Sequence, residues 1–319
     1  MTEEIELQGE EAGEATLGRR LMAEFVGTLI FVAVGTGAAT ALLLGPLREI
    51  GLIQEAVGPQ GLGPQEQLFR SLLSQGLGDV LGVAFAFATI LAVLVYAFGG
   101  ISGAHFNPAV TFSLAVARRF KWSQVPAYWL VQVAGGIAGA FVVAAMFANA
   151  EPGGAEVLLG ATTVAPGFSA WQALLAEAFI TFILVTAIMA VAIDPRAPKG
   201  WSGLIIGLGL AGGILVTASV TGGSANFART LGPLVASLPF DSPDIPWGDL
   251  WIYAAGPLIG GAAAALVYEG VTGLEVVSPP PQPGAATGGE DDDGFGGGDT
   301  SAVVVEETTV VTDRDNPQV

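Results

Sequence analysis

The sequence predicts an all-α membrane protein with six transmembrane helices and two re-entrant half-helices arranged as an inverted repeat. Three observations predict this fold class. Of the 319 residues, 52% are hydrophobic and only 13% are charged, whereas soluble domains carry about 25% charged residues. Six apolar segments are long enough to cross a hydrocarbon core about 30 Å thick. Two further apolar runs are too short to cross it, and an asparagine precedes each of them.

The long apolar segments define six predicted spans, which cover residues 21–44, 79–98, 125–147, 171–193, 201–221 and 250–269. The first span is longer than a signal peptide and lacks a small-residue cleavage site in the usual position, so we expect the mature chain to keep it. We predict three regions along the chain, namely an acidic N-terminal tail over residues 1–19, a membrane domain over 20–270 and an acidic disordered C-terminal tail over 271–319.

The net charge of −18 belongs mainly to the two tails. Six of the 29 acidic residues fall in residues 1–14, and ten fall in residues 275–319. With only 11 basic residues in the whole chain, no nucleic-acid partner is expected. The absence of cysteine excludes disulfides, thiol catalysis and cysteine-ligated metal sites. The sequence therefore predicts neither a metal site nor a cofactor.

The basic residues between the spans predict the orientation of the chain in the membrane. Most lie in segments that fall on one side if there are six spans, namely Arg19, Arg20, Arg118, Arg119, Lys121, Arg196, Lys199 and Arg314. The loops on the other side hold only Arg48 and Arg70, both within residues 45–78. Because positive loops stay in the cytoplasm, we predict a multi-pass protein of the cell membrane with both termini cytoplasmic.

Two stretches recur in the second half of the chain and divide the membrane domain into repeats. Ala23–Ile30 resembles Ala176–Ile183, with Ala, Glu, Thr and Ile in register, and Tyr128–Gly136 resembles Tyr253–Gly261. Each half contains three spans, and because three is odd, the second half must be inverted relative to the first in the membrane. The predicted inverted repeats cover about residues 20–147 and 171–270.

Two short motifs, Ser102–Thr111 and Gly222–Arg229, lie at matching places in these repeats. Each follows a long hydrophobic segment and places an asparagine before a short apolar run, which is typical of a helix that starts inside the membrane. Such a helix presents free N–H groups and a partial positive charge at its first turn. Two such ends meeting would form a polar gate that repels cations. The alternative is that asparagine caps an ordinary helix in two surface loops.

These motifs, the Ala-Glu openings of the repeats and the Gly232-Pro233 step resemble the aquaporin, or major intrinsic protein, family over about residues 20–270. The resemblance implies an aquaporin-like channel domain in a right-handed bundle and a homotetramer in the lipid bilayer with one pore per subunit. An enzyme is not expected, because the sequence offers no nucleophile, base and orienter set and no metal cluster. The resemblance implies a passive water channel that excludes protons and ions and tolerates small neutral solutes. One residue departs from the family motif: Phe227 stands where proline is expected, and it leaves the width of the pore at the centre open.

The resemblance also assigns the residues that would select the permeating molecule. Asn107 and Asn226 would donate amide N–H groups to passing water and so interrupt a chain of proton-conducting hydrogen bonds. The constriction would comprise Phe87, Ile214, Gly223 and Arg229, a set that resembles the archaeal branch of the family. The alternatives are an Arg229 that snorkels to the membrane interface and a Phe87 that packs in the core.

Backbone carbonyls would complete the path of the permeating molecule, and the resemblance places them at Gly103, Ala104, His105, Gly222, Gly223, Ser224 and Ala225. Glu24 and Glu177 lie inside spans, and the resemblance gives them a structural role as acceptors for the irregular backbone before each half-helix. The alternative is a proton or ion relay. For His105, the single histidine, we expect packing at the cytoplasmic vestibule, with pH gating as the alternative.

Two other functions stay open on the sequence alone. A facilitator of glycerol or small neutral solutes is favoured by Ile214, which removes a hydrogen-bonding wall, and by Gly223, which removes side-chain volume. It is disfavoured by Thr230, because the glycerol branch of the family typically has Asp after the filter arginine. A secondary active transporter also uses inverted repeats, but it needs a coupling-ion site, for which the spans offer few candidates beyond Glu24 and Glu177.

Overall fold

The computed structural model describes residues 15–57, 77–149, 154–240, 242 and 244–274, and all regular secondary structure in these residues is helical. The first half of the chain forms three long helices and one short one: α1 (Leu17–Val57), α2 (Leu77–Ser102), α3 (Pro108–Val116) and α4 (Val125–Phe147). The second half repeats this order with α5 (Ala170–Ile188), α6 (Ser202–Thr221), α7 (Phe227–Ser237) and α8 (Leu250–Thr272). A π-helical turn, Met189–Ile193, extends α5.

Six of the described helical segments are long and apolar enough to cross a membrane: Leu17–Gly45, Asp79–Ser102, Trp122–Phe147, Ala170–Ile193, Ser202–Thr221 and Trp247–Thr272. They confirm the six predicted spans. The helices α3 and α7, of 9 and 11 residues, are too short to cross a hydrocarbon core of about 30 Å. The two asparagine motifs therefore precede half-length helices, as the sequence predicted.

The first helix is longer than predicted at both ends. It begins at Leu17, inside the region assigned to the N-terminal tail, and continues to Val57, so residues 45–57 are helical where a loop was expected. The segment after the Gly45-Pro46 step is rich in Leu, Ile, Glu, Gln and Ala, which favour helix, and this composition outweighs the local Pro signal. The remaining tail and loop predictions, over residues 1–14, 58–76 and 275–319, lie outside the described residues.

Each half-helix packs against a long helix of the other half of the chain. The helix α3 packs on α8, and α7 packs on α4, while α1 pairs with α4 and α5 pairs with α8. This exchange joins the two repeats into one bundle. The two half-helices are thereby held by elements far apart in sequence, which fixes the position of their first turns.

Glycines at matching positions of the repeats allow the closest helix contacts. A Cβ atom on Gly135 would collide with the Phe25 carbonyl of α1, and one on Gly260 would collide with the Ala178 carbonyl of α5. Gly136 faces the Ala228 carbonyl of α7 in the same way, at 2.5 Å from a built Cβ. Small residues at these positions therefore let the helix backbones approach.

Exposed tryptophans mark two levels on the outside of the bundle. Trp122 and Trp201 precede helices that start on the side predicted to be cytoplasmic, and each is more than half exposed. Trp171, Trp247 and Trp251 lie at the starts of α5 and α8, at the opposite end. Tryptophan is enriched at both membrane–water interfaces, so these residues are consistent with a spanning orientation of the bundle.

Candidate functional site

The two asparagines cap the half-helices in the same way. Asn107 has an extended backbone and accepts a hydrogen bond from the Ala109 N–H at 2.9 Å through its side-chain oxygen. Asn226 accepts from the N–H groups of Ala228 and Arg229, at 3.0 and 3.4 Å. Because the oxygen of each amide is used by its own helix, the amide nitrogen remains to donate elsewhere.

The two asparagine amides donate across the interface between the half-helices. The Asn107 amide donates to the Ala225 carbonyl at 2.8 Å, and the Asn226 amide donates to the Phe106 carbonyl at 2.9 Å. Phe106 and Ala225 have left-handed backbones, with φ of 49° and 55°, which turns each carbonyl toward the opposite motif. The first turns of α3 and α7 therefore meet head to head. Each amide has two N–H groups, so this pairing leaves one of them for another acceptor.

A cavity of about 670 Å³ reaches both asparagines. Its lining includes Gly103, Ala104, His105, Ser224 and Ala225, five of the predicted carbonyl positions, whereas Gly222 and Gly223 do not line it. The cavity extends toward the ends of the helices at Arg20, Phe120 and Gly200. One prediction needs refinement, because the Ala225 carbonyl is engaged by the Asn107 amide. The Phe106 carbonyl, which has the matching role, was missed.

Glu24 holds the irregular backbone before α3. One carboxylate oxygen accepts from the Ser102 hydroxyl at 2.7 Å and the His105 N–H at 3.0 Å. The other accepts from the Phe106 N–H at 2.7 Å and the Gln132 amide at 2.9 Å. The carboxylate is fully buried, and both its oxygens are occupied by donors within the protein.

Glu177 makes the corresponding contacts before α7. One of its oxygens accepts from the Thr221 hydroxyl at 2.7 Å and the Ser224 N–H at 3.0 Å, and the other accepts from the Ala225 N–H at 2.8 Å. Tyr253 donates to the Thr221 carbonyl at 2.9 Å, just as Tyr128 donates to the Ser102 carbonyl in the first half. Both carboxylates therefore tie the chain before a half-helix to the first helix of the same repeat.

The structure places the four predicted filter residues in two contacting pairs. The Arg229 side chain is buried, its Cζ atom lies 4.8 Å from the centroid of the Phe87 ring, and its Nη1 donates to the Gly160 carbonyl at 2.8 Å. A Cβ atom built on Gly223 would lie 3.2 Å from the Cα atom of Ile214. Arg229 thus does not snorkel to an interface, and the cation faces an aromatic ring and a carbonyl.

The ring of Phe227 lies away from the asparagine pair's cavity. It lines a separate apolar cavity of about 210 Å³, together with Pro108, Trp129, Tyr253 and Pro257 among others, and it does not line the 670 Å³ cavity. The departure from the family motif therefore adds its bulk beside the half-helices and not at the asparagine amides.

His105 packs among aromatic rings next to the first motif. Its Nδ1 lies 3.1 Å from the Thr111 hydroxyl oxygen, and its ring centroid lies 4.9 Å from that of Phe120 and 5.3 Å from that of Tyr128. It lines the large cavity while being buried. No described group of three potential ligands could hold a metal ion there or elsewhere in the described residues.

The loop between α5 and α6 is fixed at the same end of the bundle. Arg196 donates to both carboxylate oxygens of Asp194, at 2.8 and 2.6 Å, and to the Thr272 carbonyl of α8 at 3.3 Å. These hydrogen bonds from Arg196 hold the pKa of the Asp194 carboxyl well below its usual range. The pair anchors the segment between Ile193 and Gly200, both of which line the large cavity.

Sequence reasoning missed several residues that complete the site. Gln132 supports Glu24 and Thr111, while Thr162 contacts Thr230 and Gly160 accepts from the filter arginine. A signal for Thr221 existed, since it precedes Asn226 by the five residues that separate Ser102 from Asn107. No comparable signal marks Gly160 or Thr162, because they come from a connection outside the repeated motifs.

The sequence is similar to a known protein family and to several known proteins. Residues 11–268 match the model of the family described as major intrinsic protein. Aquaporin AqpM of Methanothermobacter marburgensis is 39% identical over 259 residues, which is 81% of this chain and 98% of that protein. A probable aquaporin AqpM of Archaeoglobus fulgidus is also 39% identical, over 80% of this chain and 97% of its own length.

More distant similarities extend to plants and to a solved structure. Aquaporin NIP2-1 of Oryza sativa subsp. japonica is 40% identical over 188 residues, or 59% of this chain and 58% of that protein. The X-ray structure of the aquaglyceroporin from Plasmodium falciparum superposes with a TM-score of 0.64 over 81% of this chain and 97% of that chain. At 20% sequence identity, the last similarity concerns the fold alone.

Proposed function

Because the chain belongs to the major intrinsic protein family, and is therefore a multi-pass membrane channel and not an enzyme, we propose that it is a passive water channel. In this proposal the channel excludes protons and other ions and tolerates some small uncharged solutes. It works as a homotetramer in the lipid bilayer, with both termini in the cytoplasm and one pore in each subunit.

The cross-paired asparagines carry this proposal. Each amide gives one N–H to the opposite motif and keeps one, and both residues line the large cavity. A water molecule that accepts from both free N–H groups has used its lone pairs and cannot accept from the next water. The proton-conducting chain of waters is thereby broken, and the positive ends of α3 and α7 raise the energy of a cation at the same point.

The filter supplies the second barrier in this proposal. The guanidinium of Arg229 is held between the Phe87 ring and the Gly160 carbonyl. Its Nε is buried without a hydrogen-bond partner among the described residues, and in this proposal Nη2 donates to the permeating molecule. A fixed positive charge in a low-dielectric surrounding repels cations and hydronium. Ile214 and Gly223 would form an apolar wall, which offers water few hydrogen bonds that compete with those from Arg229.

A glycerol or small-neutral-solute facilitator is the second candidate. The contact between Gly223 and Ile214 favours it. Gly223 has no side chain and Ile214 has no polar group, so neither residue would hinder the carbon chain of glycerol. Thr230 argues against it: its hydroxyl oxygen lies 2.6 Å from those of Thr162 and Ser224, so it is used within the protein and places no carboxylate behind the filter.

Stopped-flow light scattering on proteoliposomes separates these functions. We expect vesicles with the protein to shrink much faster than protein-free vesicles in an impermeant osmolyte, and to re-swell slowly in glycerol. A pH-sensitive dye in the same vesicles should report no added proton leak. Fast re-swelling in glycerol would favour the second candidate, and flux that depends on a Na⁺ or H⁺ gradient would overturn the channel mechanism in favour of a transporter.

A further inference from the structure

A small apolar cavity lies beside the place where the two half-helices meet. Its volume is about 210 Å³, and its walls include Pro108 and Phe227, the first residues of α3 and α7. Helices of 9 and 11 residues laid end to end measure about 30 Å at a rise of about 1.5 Å per residue, which is the thickness of the hydrocarbon core. Because the first turns of these helices meet, the cavity lies near the middle of the bilayer.

The cavity opens on the outside of the bundle, between α4 and α8. Five of its lining residues are partly exposed, namely Trp129 and Val133 of α4, Phe227 of α7, and Ala254 and Leu258 of α8. None of them lines the 670 Å³ cavity that reaches the asparagines. Next to the opening, Leu130 of α4 is 69% exposed and Ile259 of α8 is 57% exposed. The opening therefore lies on an apolar outer surface and not on the path through the pore.

The lining of this cavity offers nothing to a polar molecule. Its side chains carry two polar groups, and both are used within the described part of the protein. Trp129 donates to the Pro108 carbonyl at 2.9 Å, and Tyr253 donates to the Thr221 carbonyl at 2.9 Å. A buried water needs two to four polar partners, whereas apolar cavities stay dry and accept apolar guests. The ligand that fits is therefore a hydrocarbon.

The room for such a guest lies where the second repeat lacks a ring. Counting from Tyr128 and Tyr253, Ala254 stands where the first repeat has Trp129. Trp129 covers the start of α3, but Ala254 is too short to do the same for α7, whose first residue lines the cavity. Atoms around a void lose dispersion contacts, so a guest that fills the void stabilises its walls.

We propose that this cavity binds the terminal part of a lipid acyl chain from the surrounding bilayer. Acyl chain ends are the medium at this depth, they need no hydrogen bonds, and a single linear chain can enter a cleft between two helices. The bound chain contacts the first residues of both half-helices and so braces the place where they meet. The inference goes beyond the proposed function, because it does not depend on which molecule the pore passes.

Photo-cross-linking in proteoliposomes of the full-length chain tests this inference. The probe is a phosphatidylcholine that carries a diazirine at the end of one acyl chain, and mass spectrometry of peptides locates its adducts. We expect more adducts on Phe227 and Leu258, which are only partly exposed, than on the well-exposed Ile259. The same lipid with its diazirine next to the ester group should not label the cavity.

Filling the cavity from the protein side supplies the matched comparison. Ala254→Phe places a ring in the cavity, and we expect labelling of Phe227 and Leu258 to fall about fivefold while labelling of Ile259 stays constant. Ala262→Phe is the control, because Ala262 is also a partly exposed alanine of α8 but does not line the cavity. It should keep the wild-type labelling. If Ala254→Phe fails to fold, Ala254→Val takes its place, and we expect a smaller fall.

Three results would overturn the inference. Labelling of Phe227 and Leu258 below that of Ile259 would mean that lipid only surrounds the bundle. Unchanged labelling in Ala254→Phe would place the probe outside the cavity. A side chain of a second copy is the competing occupant, and a Leu258→Cys variant of this cysteine-free chain tests for it. Its oxidation to a disulfide-linked dimer in the vesicles would assign the cavity to that second copy.

Discussion

In both halves of the membrane domain a buried glutamate holds the chain before the half-helix, but the first glutamate accepts more hydrogen bonds than the second. Glu24 and Glu177 each accept from two backbone N–H groups and one hydroxyl. Among the described residues Glu24 has a fourth donor, the Gln132 amide, and Glu177 has none in that place. Counting from Tyr128 and Tyr253, the position that matches Gln132 is Pro257.

Two further departures of the second half lie around one small cavity. Phe227 replaces the matching Pro108, and Ala254 replaces the matching Trp129, and all four residues line the 210 Å³ cavity together with Pro257. In the first half Trp129 donates to the Pro108 carbonyl at 2.9 Å, a bond that Ala254 cannot make. The repeats thus differ beside the half-helices, whereas their asparagine caps and backbone anchors agree.

The largest expected effect separates the two carboxylates. A Glu24→Gln side chain has one acceptor oxygen, and since each Glu24 oxygen now serves two donors, either orientation leaves two donors unpaired. In Glu177→Gln the amide oxygen can take the place of the carboxylate oxygen that accepts from Thr221 and Ser224, so that only the Ala225 N–H loses its acceptor. We expect a loss of about 3 kcal/mol of unfolding free energy for Glu24→Gln and a smaller loss for Glu177→Gln. Thermal unfolding in detergent measures both, and equal losses would contradict the comparison.

Removing the fourth donor should bring the first half closer to the second. Gln132→Leu removes the hydrogen bonds to Glu24 and Thr111 and keeps an apolar side chain of similar size. We expect about 2 kcal/mol of destabilisation, because a buried charged acceptor loses a partner. Pro257→Leu in the second half serves as the control and should cost less. The same unfolding assay applies, and a larger cost for Pro257→Leu would show that the two positions do not correspond.

Arg229 is the sharpest difference between the motifs, since Val110 occupies the matching position in the first half. Arg229→Val makes the two motifs alike at this point and removes the fixed charge. We expect proton leak to rise on the order of tenfold while water flux persists, because the electrostatic barrier of the filter is lost. A pH-sensitive dye in proteoliposomes reports the leak. Unchanged proton exclusion would assign the barrier to the asparagines alone.

The smallest effect is expected where the ring lies outside the pore. Phe227→Pro restores a residue suited to the first helical position, and we expect stability and water flux to stay within about 1 kcal/mol and twofold of wild type. The matched variant Pro108→Phe places a ring where Trp129 already stands, and it should cost more. Unfolding and stopped-flow assays compare them. A drop in water flux in Phe227→Pro would mean that the Phe227 ring shapes the pore.

The sequence predicted most of the fold because the repeats carry their own signals. Span lengths, the paired Ala-Glu openings and the asparagine motifs placed six helices and two half-helices, and the structure confirms this arrangement. The continuation of α1 to Val57 was missed, since the Gly45-Pro46 step is a strong local stop signal that helix-forming residues overrode.

The site was predictable where a motif or the family resemblance marked it. Asn107, Asn226 and Arg229 stand in motifs, whereas Gly160 and Gln132 act through contacts with distant segments, and the sequence does not show those contacts. The carbonyl of Ala225 shows the same limit: its position before the half-helix was predicted, but its engagement by an amide from the other repeat depends on how the repeats meet.

The proposed pore requires that the first turns of α3 and α7 meet. Because the chain has no cysteine, introduced cysteines can test this contact directly. Pro108→Cys with Phe227→Cys places one thiol at the first residue of each half-helix, and both positions line the same small cavity. A short membrane-permeant bis-maleimide should link the two thiols within one chain, whereas Pro108→Cys paired with Val271→Cys, at the exposed end of α8, should not be linked. Labelling of each single variant without any link in the first pair would contradict the account.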